Sequence, residues 1–234
     1  MKPLAVIIGV GSGLSASLAK LLADEGYSLV LAARDTTKFS ALTAETGARA
    51  VSLDGSDPTA VEQLFDSLDA APDVVVYNPS ARVRGPLAEL DPEAVRKAID
   101  VTAFGSFLAG QAAAKRMLAA EPRNGVRGTI LFTGASAGVK GFAQSAPFAM
   151  GKFAQRGLAQ SMARELHPKG IHVAWVNIDG GIRNPDRPER IDPADAPDSM
   201  LDPDEIARAY LGLIRQDRTA WSNELTLRPW VERF

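Results

Sequence analysis

Short apolar runs alternate with helix-length segments from one end of the chain to the other. This alternation narrows the fold more than any other feature. The runs cover residues 4–8, 28–33, 49–53, 73–77, 129–133, 171–178 and 224–227. Strands that are apolar on both sides belong to a sheet covered on both faces. Strands separated by helices must run parallel, because each return passes over a face of the sheet. Right-handed crossovers then give an α/β fold, a doubly wound parallel β-sheet with helices on both faces. Such a sheet takes ligands outside the carboxyl ends of its strands, near the point where the winding reverses. A length of 234 residues suits one unit, 1–234, and neither an internal repeat nor a linker interrupts it.

The first unit carries the clearest local signal. Leu4-Ala5-Val6-Ile7-Ile8 reads as a strand, Gly9 to Ser15 as a glycine-rich turn, and the residues from Ala16 to Ala23 as a helix. Glycine lets the backbone turn sharply and lie close to a ligand. The helix behind it aims unpaired N–H groups and a positive dipole end at the turn. That is a phosphate cradle, or, on glycine alone, an ordinary tight strand–helix turn.

Later helices are expected over 36–46, after Asp57-Pro58, from Asp91-Pro92 to about Ala120, from about Ala143 to His167, and from Asp202-Pro203 to about Gln216. An Asp-Pro pair supplies an N-cap and a first-turn proline. Residues 183–200 break the pattern. They hold Pro185, Pro188, Pro193 and Pro197 among many charges, which reads as a solvated loop or as a substrate lid beside the ligand end of the sheet.

Composition excludes several classes of function. The formal net charge is −2, with no cationic surplus for nucleic acid or an anionic membrane. There is no cysteine, so disulfides and thiolate metal sites are ruled out. His167 and His172 lack metal-ligand spacing and are expected in packing or surface roles; no metal is expected. The apolar start is broken at Gly9 and continues into a charged helix, so it reads as the first strand rather than a signal peptide. No apolar run of about 20 residues exists to span a membrane, and the expected location is the cytoplasm.

Four stretches together resemble the short-chain dehydrogenase/reductase family, and the resemblance covers nearly the whole chain. Gly9 and Gly13 match two glycines of its first turn, with Ser15 in place of the third. Leu53-Asp54 matches the aspartate that meets adenine. Tyr77-Asn78-Pro79-Ser80-Ala81 is similar to the family turn after the fourth strand. Phe148-Ala149-Met150-Gly151-Lys152 lies where the family has Tyr-x-x-x-Lys. The resemblance implies a Rossmann fold and a nicotinamide dinucleotide held by Gly9, Gly11, Ser12, Gly13, Leu14, Arg34, Asp54, Asn78, Pro79, Ser80, Lys152 and Ile182. The second strand ends Ala32-Ala33-Arg34. An arginine there suits the 2′-phosphate of NADP, with Lys38 as a second cation, whereas a carboxylate would suit NAD. NADP is therefore the expected cofactor and NAD the lesser alternative, favoured only if Asp35 takes that position.

The same resemblance exposes a gap. Family members use a tyrosine, a serine, a lysine and an asparagine. Here Phe148, Ala135 and Thr102 stand at the tyrosine, serine and asparagine, and only Lys152 is retained. A missing general acid costs about 10²–10⁴ in rate and a missing oxyanion donor about 10²–10³. Ser136, Ser145 and Tyr77 are the nearby hydroxyls, and Tyr77 reads as packing. Asp179 precedes Gly180-Gly181-Ile182 and either faces the ligand or caps the turn. Two functions compete. One is an NADP(H)-dependent oxidoreductase with an altered site, acting on a small-molecule substrate. The other is a catalytically silent NADP(H)-binding sensor or partner protein. A structural relic without ligand is a weaker third. The resemblance also implies a homodimer or homotetramer, assembled through the alanine-rich helix ending near Ala120 and the helix after Phe148.

Overall fold

The structure, a computed structural model, describes residues 2–184 and 186–232. A seven-stranded, all-parallel sheet forms its centre, in the order β3-β2-β1-β4-β5-β6-β7. The strands are β1 (Leu4–Ile8), β2 (Ser28–Ala33), β3 (Arg49–Ser52), β4 (Val74–Tyr77), β5 (Gly128–Thr133), β6 (Ile171–Ile178) and β7 (Glu224–Leu227). The helices are α1 (Leu14–Asp24), α2 (Ser40–Thr46), α3 (Pro58–Asp66), α4 (Pro92–Ile99), α5 (Gly105–Ala119), α6 (Ala146–Leu166) and α7 (Pro203–Ile214). The chain winds outward from β1 to β3, then returns past β1 to β4 and winds the other way. The reversal between β1 and β4 opens the crevice in which such folds bind ligands.

Period-two alternation explains both layers. Ala5, Ile7, Leu29, Leu31, Val74, Val76, Ala174 and Val176 point to one face, where Leu18 and Leu22 of α1 and Ile206 and Tyr210 of α7 cover them. Val6, Ile8, Val30, Val75, Ile130, Phe132, Val173 and Trp175 point to the other, under α3, α5 and α6. Because both faces of the central strands are dry, β1, β2 and β4 carry no polar side and read as continuous apolar runs, whereas the edge strands β3 and β7 are more exposed.

Two expected elements differ. The helix expected from Asp91-Pro92 to about Ala120 divides into α4 and α5 around a π-helical turn, Asp100–Phe104. Tyr77 supplies the cause. Its hydroxyl donates to the Val101 carbonyl at 2.6 Å, which pulls that carbonyl toward the side chain and loosens the regular ladder. Gly105 makes room, since a Cβ there would lie 2.0 Å from the Tyr77 hydroxyl oxygen. Tyr77 is fully buried, and burial raises its phenol pKa well above the ordinary value. It acts as a wedge between β4 and the helix. The segment expected as a helix over 36–46 opens instead as a 3-10 turn, Thr36–Phe39, capped by Asp35. His167 and His172 pack with Trp221 near the start of β6, the His172 ring stacked on the indole at 4.9 Å.

Candidate active site

A cleft of about 660 Å³ runs along the carboxyl ends of the central strands. Its floor begins at the turn after β1. Gly9 has φ +85, and a Cβ there would sit 2.7 Å from the backbone nitrogen and ring of Pro79. Only glycine fits a left-handed conformation under such close approach. The Ser15 hydroxyl donates to the Gly9 carbonyl at 3.1 Å, and Asn78 Nδ2 donates to Ser15 Oγ at 2.7 Å and to the same carbonyl at 3.2 Å. Ser15 therefore ties the turn to the end of β4. Gly11 faces open space. Asp57, Asp91 and Asp202 cap the N-termini of α3, α4 and α7 with their side chains, but α1 has no side-chain cap. The Ala16 and Ser17 amides donate to the Gly13 carbonyl, and the Leu14 and Ser15 N–H groups are left for the cleft.

At the β2 end of the cleft lie Arg34 and Asp54. Asp54 Oδ1 accepts from the Ser56 hydroxyl at 2.6 Å and the Ser56 amide at 2.9 Å. These bonds, with the charge of Arg34 contributing, hold its carboxyl below the usual range. Asp35 turns elsewhere. It accepts from the Thr37 hydroxyl at 2.6 Å and the Thr37 amide at 3.1 Å, and pairs with Lys38 at 3.4 Å. Neither Asp35 nor Lys38 lines the cleft, so Lys38 does not stand there as a second cation.

At the other end, Ala135, Phe148 and Lys152 line the cleft together, while Thr102, Ser136 and Ser145 do not. Phe148 and Lys152 share a face of α6 one turn apart. Lys152 is 2% exposed. Its ammonium donates to the Thr133 carbonyl at 2.6 Å and to Gln155 Oε1 at 3.1 Å. Burial, then the positive charge of Arg82, pushes its pKa down to about 7. From Gln155 the chain of bonds continues. Gln155 Nε2 donates to Ser106 Oγ at 2.9 Å, and Ser106 donates to the Thr102 carbonyl at 2.7 Å. Thr102 Oγ1 accepts from the Ala81 amide at 3.1 Å, which fixes the loop after β4. Thr102 thus reaches Lys152 through two other side chains rather than directly. Asp179 pairs with Arg228 at 3.2 Å and does not line the cleft.

Sequence comparison agrees with this geometry. A family model described as short chain dehydrogenase matches residues 3–185. The chain belongs to the short-chain dehydrogenase family. The crystal structure of a short-chain dehydrogenase from Rhodopseudomonas palustris is 33% identical, with a TM-score of 0.79 over 97% of this chain and 99% of that one. An alcohol dehydrogenase from the archaeon Thermococcus sibiricus, solved with 5-hydroxy-NADP, is 26% identical, with a TM-score of 0.81 over 99% of this chain and 98% of that one. An uncharacterized oxidoreductase of Staphylococcus aureus (strain N315) is 25% identical over 97% of this chain and 96% of its own.

In this short-chain dehydrogenase the segment after β6 folds against the cleft. Ile182 lines it and bridges to Leu201. Asn184 Nδ2 donates to Ser12 Oγ at 3.2 Å, and Arg187 and Arg190 line the cleft. Arg183 gathers the segment, bonding Asp192 at 2.8 Å and Asp198 and Asp202 at 3.1 Å each. Residues 183–184 and 186–200 are therefore not simply a solvated loop; of the expected prolines, Pro185 lies outside the described residues.

Several cleft and support residues escaped the sequence reading. Gln155 was within reach, being three positions after Lys152 and so on its helix face. Arg82 follows the turn 78–81 that already pointed to the cleft. Ser106, Arg187 and Arg190 carried no sequence signal, because only the tertiary fold brings them near.

Proposed function

We propose that this chain is an NADP(H)-dependent oxidoreductase with an altered catalytic site, passing hydride to or from a small-molecule substrate. One observation carries the reading: a single cleft is lined by the uncapped glycine turn, by Arg34 and by Lys152. The residues suit the dinucleotide. Ser12 and the free N–H groups of α1 would hold the pyrophosphate, against Gly11, Gly13 and Leu14. Arg34 forms no ion pair among the described residues, Asp35 is engaged elsewhere, and the neighbouring carboxylate, Asp54, is bonded to Ser56, so a 2′-phosphate would find an available cation. Asp54 Oδ2 remains to accept from adenine. Pro79 and Ser80 wall the middle of the cleft beside Asn78. Lys152 has one ammonium donor left for a ribose hydroxyl, and the Ile182 backbone would bind the nicotinamide amide. The Thermococcus sibiricus relative, solved with 5-hydroxy-NADP, supports the choice of NADP.

When bound, the nicotinamide exchanges a hydride with the substrate carbon. What this chain adds is position, exclusion of water and charge. Phe148 and Ala135, where the family has tyrosine and serine, carry no hydroxyl, and the Thr102 hydroxyl, at the asparagine position, accepts from the Ala81 amide and does not line the cleft. Lys152, held near 7 by burial and Arg82, is the cleft group whose proton exchanges near neutral pH. A substrate that takes its proton from water, such as an activated enone or iminium, also tolerates the loss.

Fluorescence titration with NADPH and NADH tests the cofactor, with NADPH expected to bind about tenfold tighter or more. A panel of ketones, enones and imines then tests turnover. Tight NADPH binding with no consumption above background across that panel supports the silent sensor instead.

We further propose that the chain acts in the cytoplasm, as one unit over 1–234, and as a homodimer or homotetramer. Phe104, Phe107, Met150 and Phe153 expose apolar surface next to and along α5 and α6, and burying it against a second copy would remove it from water. Sedimentation velocity at micromolar protein is expected to give more than one chain per particle. Among the described residues no helix is long and apolar enough to cross a membrane.

A further inference from the structure

The substrate end of the cleft has a charge that the reading above does not use. Arg82, Arg187, Arg190 and Lys152 line it, and the one carboxylate in the whole lining, Asp54, sits at the opposite, β2 end. Several arginines of this protein are paired with carboxylates. Arg156 pairs with Glu224, Arg183 with Asp192, Arg96 with Glu93 and Arg123 with Asp73. Arg82 and Arg190 have no ion pair or side-chain hydrogen bond among the described residues. Asp186 and Glu189 flank Arg187 in sequence yet do not line the cleft.

The arginines also lie close together. Desolvation and then the charges of Arg190 and Arg84 lower the pKa of Arg82, and Arg190 Nη1 is 2.7 Å from the point a Gly181 Cβ would occupy. Unpaired cations repel one another, and a bound anion relieves that repulsion. Arg82 is placed for the task. Its guanidinium carbon lies 4.3 Å from the centroid of Phe148, over the ring. The ring steadies the cation from one side and offers no acceptor, so the N–H donors stay available to a planar oxyanion. The resemblance also sets Phe148 at the position of the family's tyrosine, and it lines the same cleft.

We propose that Arg82, with Arg190 beside it, binds a carboxylate of the substrate, so that the site takes a carbonyl compound that is also an acid, such as an oxo acid. The carboxylate meets the two guanidinium groups, and the apolar remainder rests on Ala135, Phe148 and Ile182. This rests on the oxidoreductase reading for its carbonyl, but the anion site itself does not depend on turnover.

The test is calorimetric titration of the full-length protein with hexanoate and, separately, hexanamide, each with saturating NADPH and without it. Hexanoate is expected to bind about tenfold tighter than the amide or more, the range of a charge-assisted bond. Arg82→Met and Arg190→Met are each expected to shrink that preference to less than about threefold, and Arg190→Met to leave the NADPH affinity within about twofold. Equal binding of acid and amide, or no binding of either, overturns the proposal. So does an Arg82→Met variant that loses NADPH and hexanoate affinity together, because the arginine would then serve the cofactor phosphates. If the wild type fails to bind NADPH, the oxidoreductase reading falls. The carboxylate preference without cofactor, and its loss in both variants, still decides the anion site.

Discussion

Lys152 Nζ donates to Gln155 Oε1 across one turn of α6, at 3.1 Å, and both side chains are buried. The same oxygen lies 3.4 Å from the Trp175 indole nitrogen, and Gln155 Nε2 holds Ser106. Gln155→Leu removes these partners together. It is expected to cost about 1–3 kcal/mol of stability, since buried donors are left unpaired, and to weaken NADPH binding through the displaced lysine. Urea unfolding and NADPH titration check both. Gln155→Glu has the opposite electrostatic effect. A carboxylate beside Lys152 raises its pKa toward the ordinary value.

The amine of Lys152 gives the protein without cofactor a defined pH dependence. Its pKa falls from the ordinary 10.5 to about 7 in the folded chain. Below about 7 both folded and unfolded states hold the proton, and this group contributes no slope. Between about 7 and 10.5 the unfolded chain binds more protons than the folded one, so stability rises with pH across that window. Urea midpoints measured from pH 6 to pH 10 are expected to climb on the alkaline side in the wild type, and to lose that climb in Lys152→Met. Equal slopes in the two proteins refute the assignment.

Gly9→Ala tests the cradle. The alanine Cβ would lie 2.7 Å from Pro79 at a φ of +85. Strain of about 1–3 kcal/mol is expected from the backbone alone, with a lower melting temperature and weaker NADPH binding. Gly11→Ala, facing open space, is expected to keep its melting temperature and to lose affinity for the cofactor.

The strands, the doubly wound parallel sheet and the turn after β1 were legible because they rest on apolar runs alternating with helices and on glycine stereochemistry, both readable along the sequence. Position along the chain also pointed to Ala135, Phe148 and Lys152, which the fold does bring to one end of the cleft. The π-turn was not legible, since its cause is Tyr77, more than 20 residues earlier, reaching Val101. Nor was the environment of Lys152. A lysine in a helix reads as solvated until Arg82, Phe148 and Trp175 close around it. Thr102 was placed correctly on its helix, but the π-turn sets its carbonyl toward Ser106 and its hydroxyl toward Ala81, away from the cleft lining.

The choice between the two nicotinamide cofactors is tested at Arg34. Arg34→Ala is expected to weaken NADPH by about 10- to 100-fold, the loss of a charge-assisted bond, and to change NADH by less than about threefold. Asp35→Ala frees Lys38 and the 3-10 turn but removes nothing from the cleft, so it is expected to leave the NADPH to NADH ratio near that of the wild type. Competitive titration of both cofactors against each variant measures the ratio. A loss that falls equally on NADPH and NADH places Arg34 away from the 2′-phosphate.

Restoring two hydroxyls tests the assignment of the reacting end. Phe148 and Lys152 lie one turn apart on α6, and Ala135 lines the same end of the cleft. A Phe148→Tyr hydroxyl would meet the charge of Lys152, which favours the phenolate and so eases proton transfer. An Ala135→Ser hydroxyl would donate to the substrate oxygen as charge gathers on it. The double variant is expected to reduce simple ketones with NADPH about 10²-fold faster than the wild type or more, and each single change is expected to give less, since the two groups act on one oxygen. The readout is kcat/KM from NADPH absorbance, alongside the melting temperature. No gain in a folded double variant means that the substrate oxygen does not lie between Ala135 and Phe148.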